Sequence, residues 1–166
     1  MKKQLFILSF VLLCSLGFAQ SPISKGESQL NAGIGLSSWG VPLYIGIDYG
    51  VHPDITVGGE VSFRSYHDNY ANVRYNHSVT GISGNGNYHF NRILEIPREW
   101  DFYAGLNLGF YIWNSPDNYA GSNSSGLGLG GQVGGRYSFS NKIGLNLEFG
   151  GGNAFSGGKL CLTFKL

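Results

Sequence analysis

The amino-acid sequence predicts an all-β protein: an eight-stranded antiparallel up-and-down transmembrane β-barrel, preceded by a cleaved N-terminal signal peptide. The first observation is that apolar residues alternate with Gly, Ser and Asn along eight segments, which is the period of a strand with two unlike faces. The second is composition, because 27 of the 166 residues are Gly and only 13% are charged, roughly half the usual share. This composition disfavours helical bundles, coiled coils and charged disordered tails.

The first 19 residues have the organisation of a secretory signal. Lys2 and Lys3 precede an apolar run over residues 5–13, and Ala19 ends a small-residue cleavage motif before Gln20. The run is shorter than the roughly 20 apolar residues that a transmembrane helix needs. The sequence therefore divides into a signal peptide (1–19), a short periplasmic N-terminal segment (20–27) and the barrel (28–166).

Charge and cysteine content narrow the function classes. The chain has 11 basic and 10 acidic side chains. Since Lys2 and Lys3 leave with the signal peptide, no basic excess remains to attract nucleic acid. Cys161 is the only cysteine beyond the leader, which contains Cys14. An intramolecular disulfide is therefore excluded in the mature chain.

Eight segments show the strand period. They are residues 30–36, 41–51, 55–63, 82–90, 102–113, 127–139, 143–149 and 160–166. In the fifth, Leu106 and Leu108 share one face while Asn107 and Gly109 share the other. The fourth is weaker, with Ile82, Tyr88 and Phe90 opposite Ser83, Asn85, Asn87 and His89. The number of strands is even, and their average length is roughly that of a tilted strand that crosses a bilayer, which together favour a membrane barrel.

The connections alternate in length, as they do in outer-membrane barrels. Residues 52–54 and 140–142 are short turns, whereas residues 67–76 and 114–125 are polar segments of loop character. Two connections depart from this rule, a short outer one near residues 38–40 and a long inner one at residues 91–99. We expect both termini and the short turns in the periplasm, and the long loops outside the cell.

With this orientation, aromatic residues form two girdles, which are typical of membrane interfaces. The predicted girdle members are Trp39, Tyr66 and Trp113 near the outer rim, and Tyr49, Tyr88, Trp100, Phe102, Tyr137, Phe139 and Phe164 near the inner rim.

A soluble β-sandwich or a lipocalin-like barrel is the alternative that the alternation leaves open. The composition of the second face favours the membrane, because Gly, Ser and Asn with few charges would solubilise an outer surface poorly. They suit a narrow lumen, where Gly lets eight strands close tightly. The apolar face then meets lipid, and closure satisfies every backbone hydrogen bond.

Six charged residues fall on the face opposite the apolar one and are predicted to line the lumen. They are Asp48, Glu60, Arg64, Arg136, Glu148 and Lys165. Opposite charges that pair in a narrow interior offset part of their desolvation penalty. Two interpretations stay open: a structural polar core, and an ion path gated by exchange of partners. We expect Glu60 and Glu148 to meet Arg136 or Arg64.

An enzymatic role is not expected, and neither a cofactor nor a metal site is predicted. Catalysis of the hydrolase type needs a nucleophile, a His base and an orienting acid. His77 and Ser78 are adjacent, but neighbouring strand residues point to opposite faces. His67, Asp68 and His77 make a weak metal motif across a loop. The Gly-rich run at residues 126–131 lacks the Lys-Ser/Thr ending of a phosphate loop.

The sequence resembles the small outer-membrane β-barrel family in three features. These are the leader, the eight alternating segments over residues 28–166 and the alternating final strand at residues 158–166. This is the group of the outer membrane protein A and X barrels, also described as porin-family or outer-membrane β-barrel domains. The resemblance implies a location in the outer membrane of a Gram-negative cell, contact with its lipid, and assembly by the barrel-assembly machinery and periplasmic chaperones. The resemblance allows three functions: a structural or loop-display (adhesion or interaction) role, conduction of small solutes or ions and, more distantly, enzymatic modification of lipids. The sequence identifies no extracellular ligand.

Overall fold

The protein is a closed barrel of eight antiparallel strands, which confirms the predicted fold class. The computed structural model describes residues 23–37, 40–70, 73–116, 125–152 and 156–166. The strands are β1 (Ser28–Ser37), β2 (Leu43–His52), β3 (Ile55–Tyr70), β4 (Val73–His89), β5 (Trp100–Asn114), β6 (Gly126–Ser138), β7 (Ile143–Gly152) and β8 (Gly157–Lys165). Each pairs with its neighbours in sequence, and nine residue pairs between β1 and β8 close the ring.

The two ends of the barrel differ. The lower end holds the start of β1, the end of β8 and the connections β2–β3, β4–β5 and β6–β7. Residues 23–27 fold against it, since Gly26 N–H donates to Gly50 O at 2.8 Å and Ile23 is fully buried. The upper end holds the other four connections, including the long one between β5 and β6.

The alternation predicted from the sequence separates the two faces of the wall. In β5, Leu106 and Leu108 are 68% and 56% exposed, whereas Tyr103 on the other face is 3% exposed. Ile82 in β4 is outward and Asn87 and His89 are buried, as the weaker fourth segment predicts. The outward face is therefore almost entirely apolar, and the polar residues lie inside.

Glycine makes room for large side chains in the narrow interior. A Cβ on Gly134 would lie 2.3 Å from Cζ of Tyr103, its register partner across the β5–β6 ladder. Gly35 makes room for the Tyr44 ring in a similar way, since a Cβ there would lie 2.5 Å from Cε2, although the register partner of Tyr44 is Gly33. Each large ring thus lies over bare backbone, which lets it fit inside a narrow eight-stranded barrel.

Gly134→Ala is expected to lower the free energy of unfolding by about 1–3 kcal/mol, the usual cost of overpacking. The Tyr103 ring has little freedom to move away, because its hydroxyl is hydrogen-bonded to Glu148 at 2.7 Å. Urea unfolding in lipid vesicles measures the change. Gly86→Ala is the matched control, since nothing lies within 4 Å of a Cβ there. Equal stability of the two variants would show that Tyr103 does not need this space.

One sequence prediction is wrong at the upper end. Residues 67–76 were predicted to be a loop, but β3 runs to Tyr70 and β4 begins at Val73. Pairing of β4 with β5 stops at Ser78↔Asn114, whereas β3 and β4 continue for five more pairs to Tyr70↔Val73. Beyond the barrel rim a two-stranded ribbon needs no apolar face, so its sequence lacks the alternation that reveals the other strands.

The predicted signal peptide (1–19) lies outside the described residues and stays a prediction. Across the described ranges, no helical segment combines the length and apolarity that a membrane crossing requires.

Candidate functional site

The interior of the barrel contains five of the six charged residues that strand parity places there. Asp48, Arg64, Arg136 and Glu148 are buried, and Glu60 is half-buried. Lys165 lies at the lower mouth instead, where Nζ is 2.7 Å from the Glu27 carboxylate. The inward side chains form two groups, which we name the lysine cluster and the arginine cluster.

The lysine cluster, in the middle of the barrel, consists of Lys159, Glu60, Glu148 and the rings of Tyr44 and Tyr103. Lys159 Nζ donates to Glu60 Oε2 at 2.8 Å and to Glu148 Oε1 at 2.7 Å. The Tyr103 hydroxyl donates to Glu148 Oε2 at 2.7 Å. The ammonium group also lies 5.0 Å from the centroid of the Tyr44 ring, a distance typical of a cation–π contact. One cation thus ties β3, β7 and β8 together.

The lysine cluster differs from the pairing expected from the sequence. Glu60 and Glu148 were predicted to meet Arg136 or Arg64, but both bind Lys159. Arg64 lies nearer the upper end of the barrel, where its Nη1 is 3.5 Å from Ser37 Oγ on β1. Strand parity assigns a side chain to a face, and the stagger of the strands then decides which inward residues share a level.

The arginine cluster lies below and consists of Arg136, Asp48, Asp101, His89 and Thr56. Arg136 Nη1 is 3.2 Å from Asp101 Oδ2, and Nη2 is 3.5 Å from Asp48 Oδ2. Asn31 and Asn85 donate their amide N–H groups to the other lone pairs of Asp48 at 2.8 and 3.3 Å. Arg136 also lies 5.5 Å from the centroid of the Tyr103 ring. That ring therefore joins the two clusters.

Burial of this many charges is tolerable only because nearly every one is paired. An ion in a low-dielectric interior loses several kcal/mol of hydration, which good geometry and further hydrogen bonds must offset. Two cavities of about 20 Å³ flank the lysine cluster, and Glu60, Asn85 and Lys159 line both. Each has room for about one water molecule. The polar side chains thus fill the lumen, leaving space for isolated waters.

Thr56, His89 and Asp101 have the connectivity of a nucleophile, a base and an orienting acid. His89 Nδ1 is 2.8 Å from Asp101 Oδ1, and Nε2 is 3.0 Å from Thr56 Oγ1. The charge on Asp101 favours the tautomer with the proton on Nδ1, so Nε2 accepts from the Thr56 hydroxyl. All three side chains are at most 1% exposed, so a substrate has no route to Thr56 in this conformation. His77, which is adjacent to Ser78 in the sequence, instead contacts Ser115, with 2.9 Å between Nδ1 and Oγ.

Two functional residues were missed in the sequence, Asp101 and Lys159. Both have the parity of the lumenal face, since Asp101 is two residues before Tyr103 and Lys159 two before Cys161. The predicted fifth segment began at position 102, one residue after Asp101, whereas Lys159 lay within the predicted final strand at residues 158–166 and was not assigned to the lumen. Extending the alternation to Asp101, and applying strand parity to Lys159, would have found both.

Aromatic residues surround the lower end on the outward face. Trp100 lies 4.8 Å from Tyr137 and 5.8 Å from Phe102, and Tyr137 lies 5.4 Å from Phe139, between ring centroids. The other predicted lower-girdle residues, Tyr49, Tyr88 and Phe164, also have outward parity.

The upper girdle differs from its prediction at one position. Trp113 is the register partner of Val79, which is 2% exposed and shares the inward face with Arg64. Trp113 therefore has inward parity, whereas a girdle residue points outward. The physical reason is that side chains alternate between the two faces of a strand, so Trp113 lies on the same face of β5 as Tyr103 and Tyr111. Trp39 and the side chain of Tyr66 lie outside the described part of the chain. Within that part, no three His, Cys, Asp or Glu side chains converge as metal ligands would.

Comparisons with known proteins agree with this architecture. A family model described as an outer membrane protein β-barrel domain matches residues 6–163. Among solved structures, the outer membrane protein OprG from Pseudomonas aeruginosa is similar with a TM-score of 0.60 and 9% identity, over 88% of this chain and 99% of that one. No curated protein matches the sequence.

Two further solved structures have the same fold. Ail, the attachment invasion locus protein of Yersinia pestis, crystallised with the heparin analogue sucrose octasulfate, gives a TM-score of 0.57 at 12% identity, over 86% of this chain and 99% of that one. Neisserial surface protein A gives 0.55 at 15% identity, over 84% of this chain and 94% of that one. At these identities the likeness establishes the fold alone.

Proposed function

Because the chain belongs to the outer membrane protein β-barrel family and lies in the outer membrane of a Gram-negative cell, we propose that it is a non-conducting structural barrel that displays its upper end for adhesion or interaction. The observation that carries this proposal is the filled lumen. The lysine and arginine clusters occupy the cross-section at two levels, and the spaces beside the lysine cluster hold about 20 Å³ each.

The ribbon at the upper end supports display. Strands β3 and β4 extend five pairs beyond the last β4–β5 pair, so their tip projects above the rim of the neighbouring wall. His67 and Asn76 are exposed there. A hydrogen-bonded ribbon presents such polar groups with less conformational entropy to lose on binding than an open loop.

A channel is the second candidate, and the shared cation favours it. Lys159 binds two carboxylates at nearly equal distances, so loss of one contact leaves the other in place. Side chains that can exchange partners in this way could open a thread of water through the middle of the barrel.

Single-channel recording in planar bilayers separates the two candidates. We expect the wild-type chain to give no current steps across a range of voltages. Glu60→Gln with Glu148→Gln removes both carboxylates from Lys159, and an unpaired buried charge recruits water, so this double variant tests whether the lumen can open at all. Glu95→Gln, at an exposed site in the β4–β5 connection, is the matched control. A wild-type current that the double variant alters and Glu95→Gln does not would overturn the display proposal.

We further propose that the chain is not an enzyme. Burial of Thr56, His89 and Asp101 supports a structural role for their hydrogen bonds. Incubation with outer-membrane lipids, followed by mass spectrometry, should leave their acyl chains unchanged. An acyl change that disappears in His89→Gln would contradict this.

A further inference from the structure

A polar cavity of about 230 Å³ opens at the lower end of the barrel, below the arginine cluster. Gln29 of β1 and Thr163 of β8 form its inner part, and the β6–β7 turn forms one side. Both Gln29 and Thr163 are buried, at 4% and 3% exposure. The cavity is therefore an indentation of the barrel interior, and its floor consists of fixed hydrogen-bonding groups.

Three cations line this cavity: Arg98 from the β4–β5 connection, Lys142 from the β6–β7 turn and Lys165 from β8. The adjacent acid is Glu27, which binds Lys165 at 2.7 Å. Burial acts to raise the pKa of the Glu27 carboxyl, but hydrogen bonds from Lys165 and Ser24 outweigh it and lower the pKa. Glu27 is therefore ionised at neutral pH and compensates Lys165, while Arg98 and Lys142 bring two more cations to the lining.

The cavity wall also supplies oriented hydrogen-bond donors. Ser140 Oγ accepts from the backbone N–H groups of Lys142 and Ile143 at 3.3 and 3.2 Å. With its lone pairs so engaged, the hydroxyl can turn its own proton to the cavity. Ser138 N–H donates to Glu99 O at 2.7 Å, and this bond holds the segment that bears Arg98 against the wall.

We propose that this lower-mouth cavity is a binding site for a phosphate-type anion. Guanidinium and ammonium groups with neighbouring hydroxyls are the donor set that phosphate oxygens prefer. The volume leaves room for an organic substituent on the phosphate. Ile143, at the rim, is 44% exposed on the outward face. The cavity therefore borders both the lipid-facing surface and the periplasm. The anion can accordingly come from two sources, a lipid headgroup of the periplasmic leaflet or a soluble phosphate compound of the periplasm.

The test uses the full mature chain in nanodiscs of zwitterionic lipid, titrated with inorganic phosphate at constant ionic strength. Backbone amide resonances of Ser138, Gly144 and Thr163 should shift with saturation. Arg98→Gln with Lys142→Gln should weaken binding about tenfold or more, the effect of removing charge-assisted hydrogen bonds. Arg92→Gln is the matched control, because Arg92 pairs with Asp54 and does not line the cavity. Heat-dependent gel mobility checks that each variant is folded.

Nanodiscs that contain phosphatidylglycerol distinguish the two sources. If the anion is a headgroup, the same amides shift before phosphate is added, and phosphate adds little. If it is soluble, phosphate titrates the site equally in both lipids. Absence of shifts at these amides under both conditions, or equal binding by the double variant and Arg92→Gln, would overturn the proposal. Neither result depends on whether the lumen conducts.

Discussion

Arg136→Met is expected to lower the free energy of unfolding by about 3–5 kcal/mol, the cost of removing one partner from a buried ion pair. Arg136 is 2% exposed and is the cation shared by Asp48 and Asp101. Its loss leaves two carboxylates in the interior with no cation beside them, and methionine restores only part of the volume. Unfolding in urea from lipid vesicles, followed by tryptophan fluorescence, gives the change.

Lys165→Met is the control for this prediction. Lys165 also pairs with a carboxylate, but its side chain and that of Glu27 are 31% and 36% exposed. Exposed pairs contribute up to about 1 kcal/mol. Adding Asp48→Asn and Asp101→Asn to Arg136→Met should recover part of the lost stability, since the unpaired charges then disappear. If Arg136→Met costs no more than Lys165→Met, the arginine cluster does not stabilise the barrel.

Leu106→Arg should destabilise the barrel by about 2–4 kcal/mol, the cost of a cation at the bilayer midplane. Leu106 lies in the middle of β5 and is 68% exposed on the outward face. A guanidinium there either enters hydrocarbon or draws headgroups and water inwards. The same urea titration in vesicles measures the effect.

Ile55→Arg is the matched control for depth. Ile55 is the first residue of β3, at the lower rim, and is 38% exposed. A charge near the interface costs about 0–1 kcal/mol. A larger loss for Ile55→Arg than for Leu106→Arg would mean that the outward face is not arranged in the membrane as described.

The wall of the barrel could be predicted from the sequence because two environments act on alternate residues. In β5, Leu106 and Leu108 face lipid, whereas Asn107 and Gly109 face the narrow interior. This alternation of apolar with small or polar residues is visible in any short segment of the strand. The β3–β4 ribbon escaped prediction because no such contrast exists above the rim. There, the strands are paired through their backbones in register with no alternation of apolar and polar residues to reveal them.

The charge network was predictable only in part. Parity places Asp48, Glu60, Arg136 and Glu148 on one face, but it carries no information on height in the barrel. Contacts such as Lys159 to Glu60 are set by the stagger at which the ring closes and by the reach of a flexible lysine. Those quantities belong to the closed barrel, and no local segment of sequence encodes them.

The lysine cluster also implies an order of events during folding. Glu148 and Lys159 are register partners in the β7–β8 ladder, so their contact can form with that hairpin. Glu60 is 99 residues from Lys159, and contacts at such separation come late because the intervening chain must first be ordered. We therefore expect Lys159 to pair with Glu148 before β8 pairs with β1 and closes the barrel. The contact of Lys159 with Glu60 is then expected to form last, when the barrel closes.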